Sequence, residues 1–108
     1  MKRRLISAAL ASVLACATSA AQADVQAGRV KARMCAVCHG EYGVGVLPNA
    51  PNLAGQPEIY LTEQLKAYRG GTRSNEIMNV IAKPLTDAEI ADLSAWFASI
   101  AIEVKPPN

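Results

Sequence analysis

Two thiols and an imidazole stand together as Cys35-Ala36-Val37-Cys38-His39. On a helical turn, positions i, i+3 and i+4 share one face, so Cys35, Cys38 and His39 point the same way. Thiols at that spacing suit thioether formation with the two vinyl groups of one porphyrin, while the adjacent imidazole meets the iron. This Cys-x-x-Cys-His run is the signature for covalent attachment of a c-type haem, and three links would fix one rigid disc. Two other chemistries use cysteine pairs. A thioredoxin-type redox pair needs a lowered thiol pKa and a position at the start of a helix after a strand; no strand pattern precedes Cys35. A zinc site wants four ligands, usually two pairs, whereas this region offers one pair and the chain's single histidine.

Haem iron is commonly held by a histidine and a methionine together, and the methionines are Met1, Met34 and Met78. Met1 belongs to a leader sequence. Met34 adjoins Cys35 on the His39 side and is unable to swing round to the opposite face of a porphyrin. Met78 remains, far enough beyond His39 for the intervening chain to wrap the haem edge and return. The other reading of Met78 is a core filler, the usual work of methionine, with water or a lysine at the sixth position. Pro51 is a candidate to accept the second ring N–H of His39, because a ligating imidazole usually donates it to a carbonyl or carboxylate; otherwise Pro51 stiffens a turn. No paired carboxylates and no nucleophile with a nearby base suggest hydrolysis. Asp87, Glu89 and Asp92 suit the positive end of a helix dipole. Lys66, Arg69 and Arg73 fall close together, either to meet haem propionates or a partner, or as solvated helix surface.

The elements that must position these residues read as helices joined by irregular loops, with no alternating strand. Gly28, Ala32 and Cys35 recur at helical spacing and predict a helix over residues 25–38, its small residues marking a close crossing with another helix. Gly40 stops it. Residues 40–57 hold Gly40, Gly43, Gly45, Pro48, Pro51, Gly55 and Pro57, too much punctuation for regular structure. A loop that long suggests a binding role. Pro57 suits the first position of a second helix, with Leu61, Leu65 and Tyr68 as its apolar stripe and Gly70-Gly71 as its end. A short helical piece over 78–82 is cut by Pro84. Thr86 and Glu89 form a capping box for a last helix whose core face is Ile90, Leu93, Trp96 or Phe97, and Ile100. Lys105-Pro106-Pro107-Asn108 reads as an irregular end.

Ahead of these elements, Lys2, Arg3 and Arg4 precede an apolar run from Leu5 to about Cys16, and Ala21-Gln22-Ala23 has the small-x-small pattern of a signal-peptidase site. Residues 1–23 therefore read as a signal peptide and 24–108 as one domain, exported to the periplasm. The apolar run is shorter than the roughly 20 residues of a membrane span. Val13-Leu14-Ala15-Cys16 faintly matches a lipoprotein box that would anchor Cys16, but Leu14 fits it poorly. The full chain has a formal charge of +2; its leader holds three of the 11 basic residues and none of the 9 acidic ones, so residues 24–108 carry −1. With no basic stripe interleaved with aromatics, nucleic-acid binding has no support. A domain of 85 residues has a marginal core and usually needs a staple such as a large cofactor.

The ordered set Gly28, Cys35-Ala-Val-Cys38-His39-Gly40, Pro51-Asn-Leu53-Ala-Gly55-Gln56, Tyr60, Gln64-Leu65, Tyr68-Arg69-x-Gly71-x-Arg73, Met78 and Leu85-Thr-Asp-Ala-Glu-Ile90 resembles the small single-haem class I c-type cytochromes of bacterial periplasms. The resemblance implies an all-α class I cytochrome c fold, three to four helices around one covalent haem c, with the first and last helices crossing near Gly28 and Trp96. It places His39 and Met78 on opposite haem faces. Family members often carry Tyr or Phe where this chain has Trp96. The implied function is single-electron carriage between redox proteins that dock transiently, without catalysis. Two rivals differ from it. A haem subunit relaying electrons from a larger periplasmic dehydrogenase would copurify with that partner, and a gas-binding or peroxide-reducing haem protein would need an open sixth position.

Overall fold

The computed structural model describes residues 11–12, 14–17 and 22–108; most of the expected signal peptide lies outside the described residues. Among these, helices account for all the regular structure. They are α1 (Val25–Lys31), a single 3-10 turn (Ala32–Met34), α2 (Ala36–His39), α3 (Glu58–Gly70), α4 (Glu76–Ala82) and α5 (Asp87–Ser99). The continuous helix expected over 25–38 is thus broken in two. A 3-10 turn advances 120° per residue where an α-helix advances 100°, so three residues rotate the next helical turn by about 60°. The face of α1 that packs on α5 and the turn that carries the cysteines need not coincide.

Helix α5 is the centre of the molecule. Thr86 Oγ1 accepts from the Glu89 amide at 3.1 Å, and the Glu89 carboxylate accepts from the Thr86 amide at 3.2 Å, completing the expected capping box. Ile90 and Leu93 are fully buried, and both Trp96 and Phe97 are buried where one was expected. Ser94 and Ala95 are buried as well, so neighbours surround the end of α5 on most sides. Each fully buried large apolar side chain contributes about 1.5–3 kcal/mol. Leu61 of α3 joins this core, with Leu65 and Tyr68 partly buried against it, as their spacing predicts.

Helix α1 crosses α5 at Gly28. A Cβ there would collide with the Asp92 carbonyl and lie 2.9 Å from the Trp96 Cβ, so only glycine allows the two backbones to touch. Arg29 stacks over the Trp96 ring, 5.4 Å from its centroid. The indole Nε1 of Trp96 is buried and has no hydrogen-bond partner among the described residues. Helix α3 ends at Gly71 in the left-handed conformation, and Pro57 precedes its first turn, one position earlier than expected. From Ala101 to Asn108 the chain has no regular structure.

Candidate haem-attachment site

The motif occupies one helical turn. The His39 amide donates to the Cys35 carbonyl at 2.9 Å, and the Gly40 amide to the Ala36 carbonyl at 2.9 Å. Gly40, at φ 80°, then turns the chain away. Cys35 and Cys38 are half-buried and not joined to each other. Burial pushes the Cys35 thiol up to about 11, with the Lys31 ammonium pulling weakly the other way. A thiol so far above neutral pH is protonated, the opposite of the activated thiolate a disulfide-exchange pair requires.

His39 is buried, and its Nδ1 lies 2.8 Å from the Pro51 carbonyl oxygen. A carbonyl only accepts, so Nδ1 donates to it and Nε2 is the ring nitrogen left for a ligand. That is the orientation a ligating histidine needs. Two thiols three residues apart, next to an imidazole oriented in this way, are the donor set of covalent haem, and the residues fit that group.

The loop over residues 40–57 holds Pro51 in place through its own backbone. The Val46 amide donates to the Cys38 carbonyl at 3.0 Å, tying the loop to the motif turn. The Gly43 carbonyl accepts from both Leu53 and Ala54, at 2.7 and 3.0 Å, and the Gly55 amide reaches the Phe97 carbonyl on α5 at 2.9 Å. Asn52, next to Pro51, accepts from the Gly45 amide through Oδ1 at 2.8 Å, and its carbonyl accepts from Gln56 Nε2 at 3.2 Å. A stretch without regular structure is therefore cross-linked along its whole length.

Met78 lies on α4. It is half-buried. Asn75 caps α4, its Oδ1 accepting from the amides of Ile77 and Met78 at 3.0 and 2.9 Å. One residue beyond Met78, Asn79 Nδ2 donates to the carbonyls of Tyr68 and Arg73, each at 2.8 Å. Sequence reading missed Asn79 and Asn52; a polar side chain in or beside an irregular segment is the only signal either residue gives.

Of the basic cluster, Arg69 and Arg73 are committed within the protein. Arg69 donates to the Leu85 carbonyl at 3.0 Å and pairs with Asp87 at 2.6 Å. Arg73 donates to Gln64 Oε1 at 2.7 Å and stacks over the Tyr68 ring. Lys66 is exposed. The acidic residues of α5 also have specific partners beyond the helix dipole. The Arg69 hydrogen bond holds Asp87 below the usual carboxylate range, and the Thr86 amide, followed by Lys31, does the same for Glu89. Asp92 accepts from the Asp24 amide at 2.7 Å.

A sequence model of the cytochrome c family matches residues 25–101. The chain is 42% identical to cytochrome c-554(548) of Halomonas halodenitrificans over 70% of this chain and 95% of that protein. It is 39% identical to cytochrome c4 of Pseudomonas aeruginosa over 82% of this chain and 45% of that one. The crystal structure of reduced recombinant cytochrome c4 from Pseudomonas stutzeri superimposes with a TM-score of 0.69 at 35% identity, covering 73% of this chain and 46% of that one. The chain thus spans about half the length of the cytochrome c4 relatives.

Proposed function

The chain belongs to the cytochrome c family and has its all-helical class I fold, and we propose that it is a periplasmic single-electron carrier with one haem c. Cys35 and Cys38 would carry the thioethers, and His39 Nε2 and the Met78 sulfur would hold the iron. The observation that carries this reading is the 2.8 Å contact between His39 Nδ1 and the Pro51 carbonyl, which leaves Nε2 as the ring nitrogen available to iron beside two cysteines. When bound, the haem supplies a one-electron couple at iron, whose potential a methionine ligand raises.

The protein's own contribution is to keep the donor atoms still through a change of one charge. The Pro51 carbonyl fixes the ring of His39, and the bonded loop fixes Pro51. Asn75 fixes the first turn of the helix that bears Met78. Held by His39 and Met78 together, the iron would have no position open to substrate, as suits electron transfer without catalysis. Donor and acceptor are redox proteins that dock transiently, through interfaces of the small class. A net charge of −1 over residues 24–108 steers partners weakly.

Export with cleavage after Ala23 completes the reading. Among the described residues the hydrogen bonding begins at Asp24, whose carboxylate accepts from the amides of Gln26 and Ala27 at 2.9 and 3.0 Å while its own nitrogen donates to Asp92. As a mature α-ammonium the same nitrogen retains that bond. Mass spectrometry of protein recovered from the periplasm tests attachment and processing together. The expected mass is residues 24–108 plus one haem; an intact leader, a lipidated Cys16 or a chain without haem contradicts the proposal.

A further inference from the structure

Helix α4 has seven residues, too few to be stable alone in water, where helices shorter than about 12–15 residues are marginal. Its placement is therefore set by tertiary contacts: Ala82 at its end is buried in the core, and its side-chain hydrogen bonds to other segments converge on one residue. Asn79 Nδ2 donates to the Tyr68 carbonyl in α3 and to the Arg73 carbonyl in the turn after it, both at 2.8 Å. Its Oδ1 accepts from the Asn75 amide at 2.7 Å. Two carbonyls and one N–H admit a single orientation of the amide, so the network itself fixes which atom is nitrogen. The segment it grips is itself held to α3, by the Arg73 amide on the Ala67 carbonyl at 3.2 Å and the Arg73 side chain on Gln64 at 2.7 Å.

We infer that Asn79 is the positioning residue that sets how firmly Met78 is held, by fastening the start of α4 to the end of α3. The inference rests on the reading of Met78 as an axial ligand. Asn79 adjoins Met78 in sequence and spans three segments: α3, the turn after it, and the residue that caps α4. Without its amide, α4 retains the Asn75 cap and the buried Ala82, yet loses both bonds to the carbonyls of Tyr68 and Arg73. The segment around Met78 then opens more often while the rest of the fold persists.

Opening is readable through a competing ligand, because a ligand that binds only the open form has an apparent affinity proportional to the open fraction. Imidazole added to the oxidised holoprotein is the probe. Losing one or two net hydrogen bonds changes an equilibrium by about 5- to 30-fold, so N79A binds imidazole tighter by that factor and opens faster in stopped flow. Asn79→Asp keeps the acceptor for the Asn75 amide and drops both donors; it shows the same rise. Asp92→Ala, which loses the bond between α5 and the Asp24 nitrogen, binds imidazole as wild type does even though its denaturation midpoint falls. Equal imidazole affinity in wild type, N79A and Asn79→Asp overturns the inference while leaving Met78 as ligand. A wild type that binds imidazole as tightly as Met78→Ala overturns the Met78 reading and the inference with it.

Discussion

The two sides of the proposed iron site are built by different means. On the His39 side the donor atoms sit within five consecutive residues, and their support is a glycine- and proline-rich loop bonded back to the motif turn and to α5. On the Met78 side the donor stands alone on a seven-residue helix that Asn75 caps, Asn79 ties to α3 and the turn after it, and Ala82 anchors in the core. One side is fixed by chain connectivity, the other by a few polar contacts that could break without unfolding the molecule. A carrier needs both donors held still, and the weaker side is where ligand loss should begin.

The largest expected effect separates the sides outright. Cys38→Ala removes one thioether and His39→Ala the histidine ligand, and each should abolish stable holoprotein, read as loss of covalent haem on a denaturing gel. Met78→Ala should leave the haem attached, with the weak sulfur-to-iron absorption band gone and the potential lowered, because a thioether ligand favours the reduced state. Haem loss in Met78→Ala would erase the distinction between the two sides.

Smaller changes sharpen it. Asn75→Ala removes the cap of α4 and should cost about 1 kcal/mol, with a disproportionate weakening of the sulfur-to-iron band. Asn52→Ala unties Gly45 from the loop and should cost about 1 kcal/mol in denaturant unfolding without weakening that band. A band equally weakened in both variants would mean the two sides are coupled. The smallest effect belongs to neither side. Asp87 and Glu89 are held below their ordinary values, so their contribution is present above the usual carboxylate range of about 4 and is lost as pH falls through the lower folded values. Both are at the exposed start of α5, so a modest drop in Tm below pH 4 should accompany no change in ligation at the onset.

The same contrast explains what the sequence disclosed. Cys35, Cys38 and His39 are readable because their chemistry depends on adjacency, and the Thr86–Glu89 box is readable because capping is local. Pro51 is legible from the needs of an imidazole, and the helix crossing from the smallness of Gly28. The break at Ala32–Met34 escaped because a 3-10 turn inside a helical pattern leaves the periodicity of so short a segment almost unchanged. Arg69 and Arg73 looked like a free basic patch since their partners, Leu85, Asp87 and Gln64, are 9 to 18 residues away. Asn79 escaped for a related reason: its work is done on backbone carbonyls, which every residue carries.

Carbon monoxide binding to the reduced holoprotein tests the central claim most directly, because the gas needs an open position at the iron. Ligation by His39 and Met78 predicts no fast binding in wild type and rapid, complete binding in Met78→Ala. Rapid binding by the wild type would mean an open iron and would contradict the electron-carrier reading.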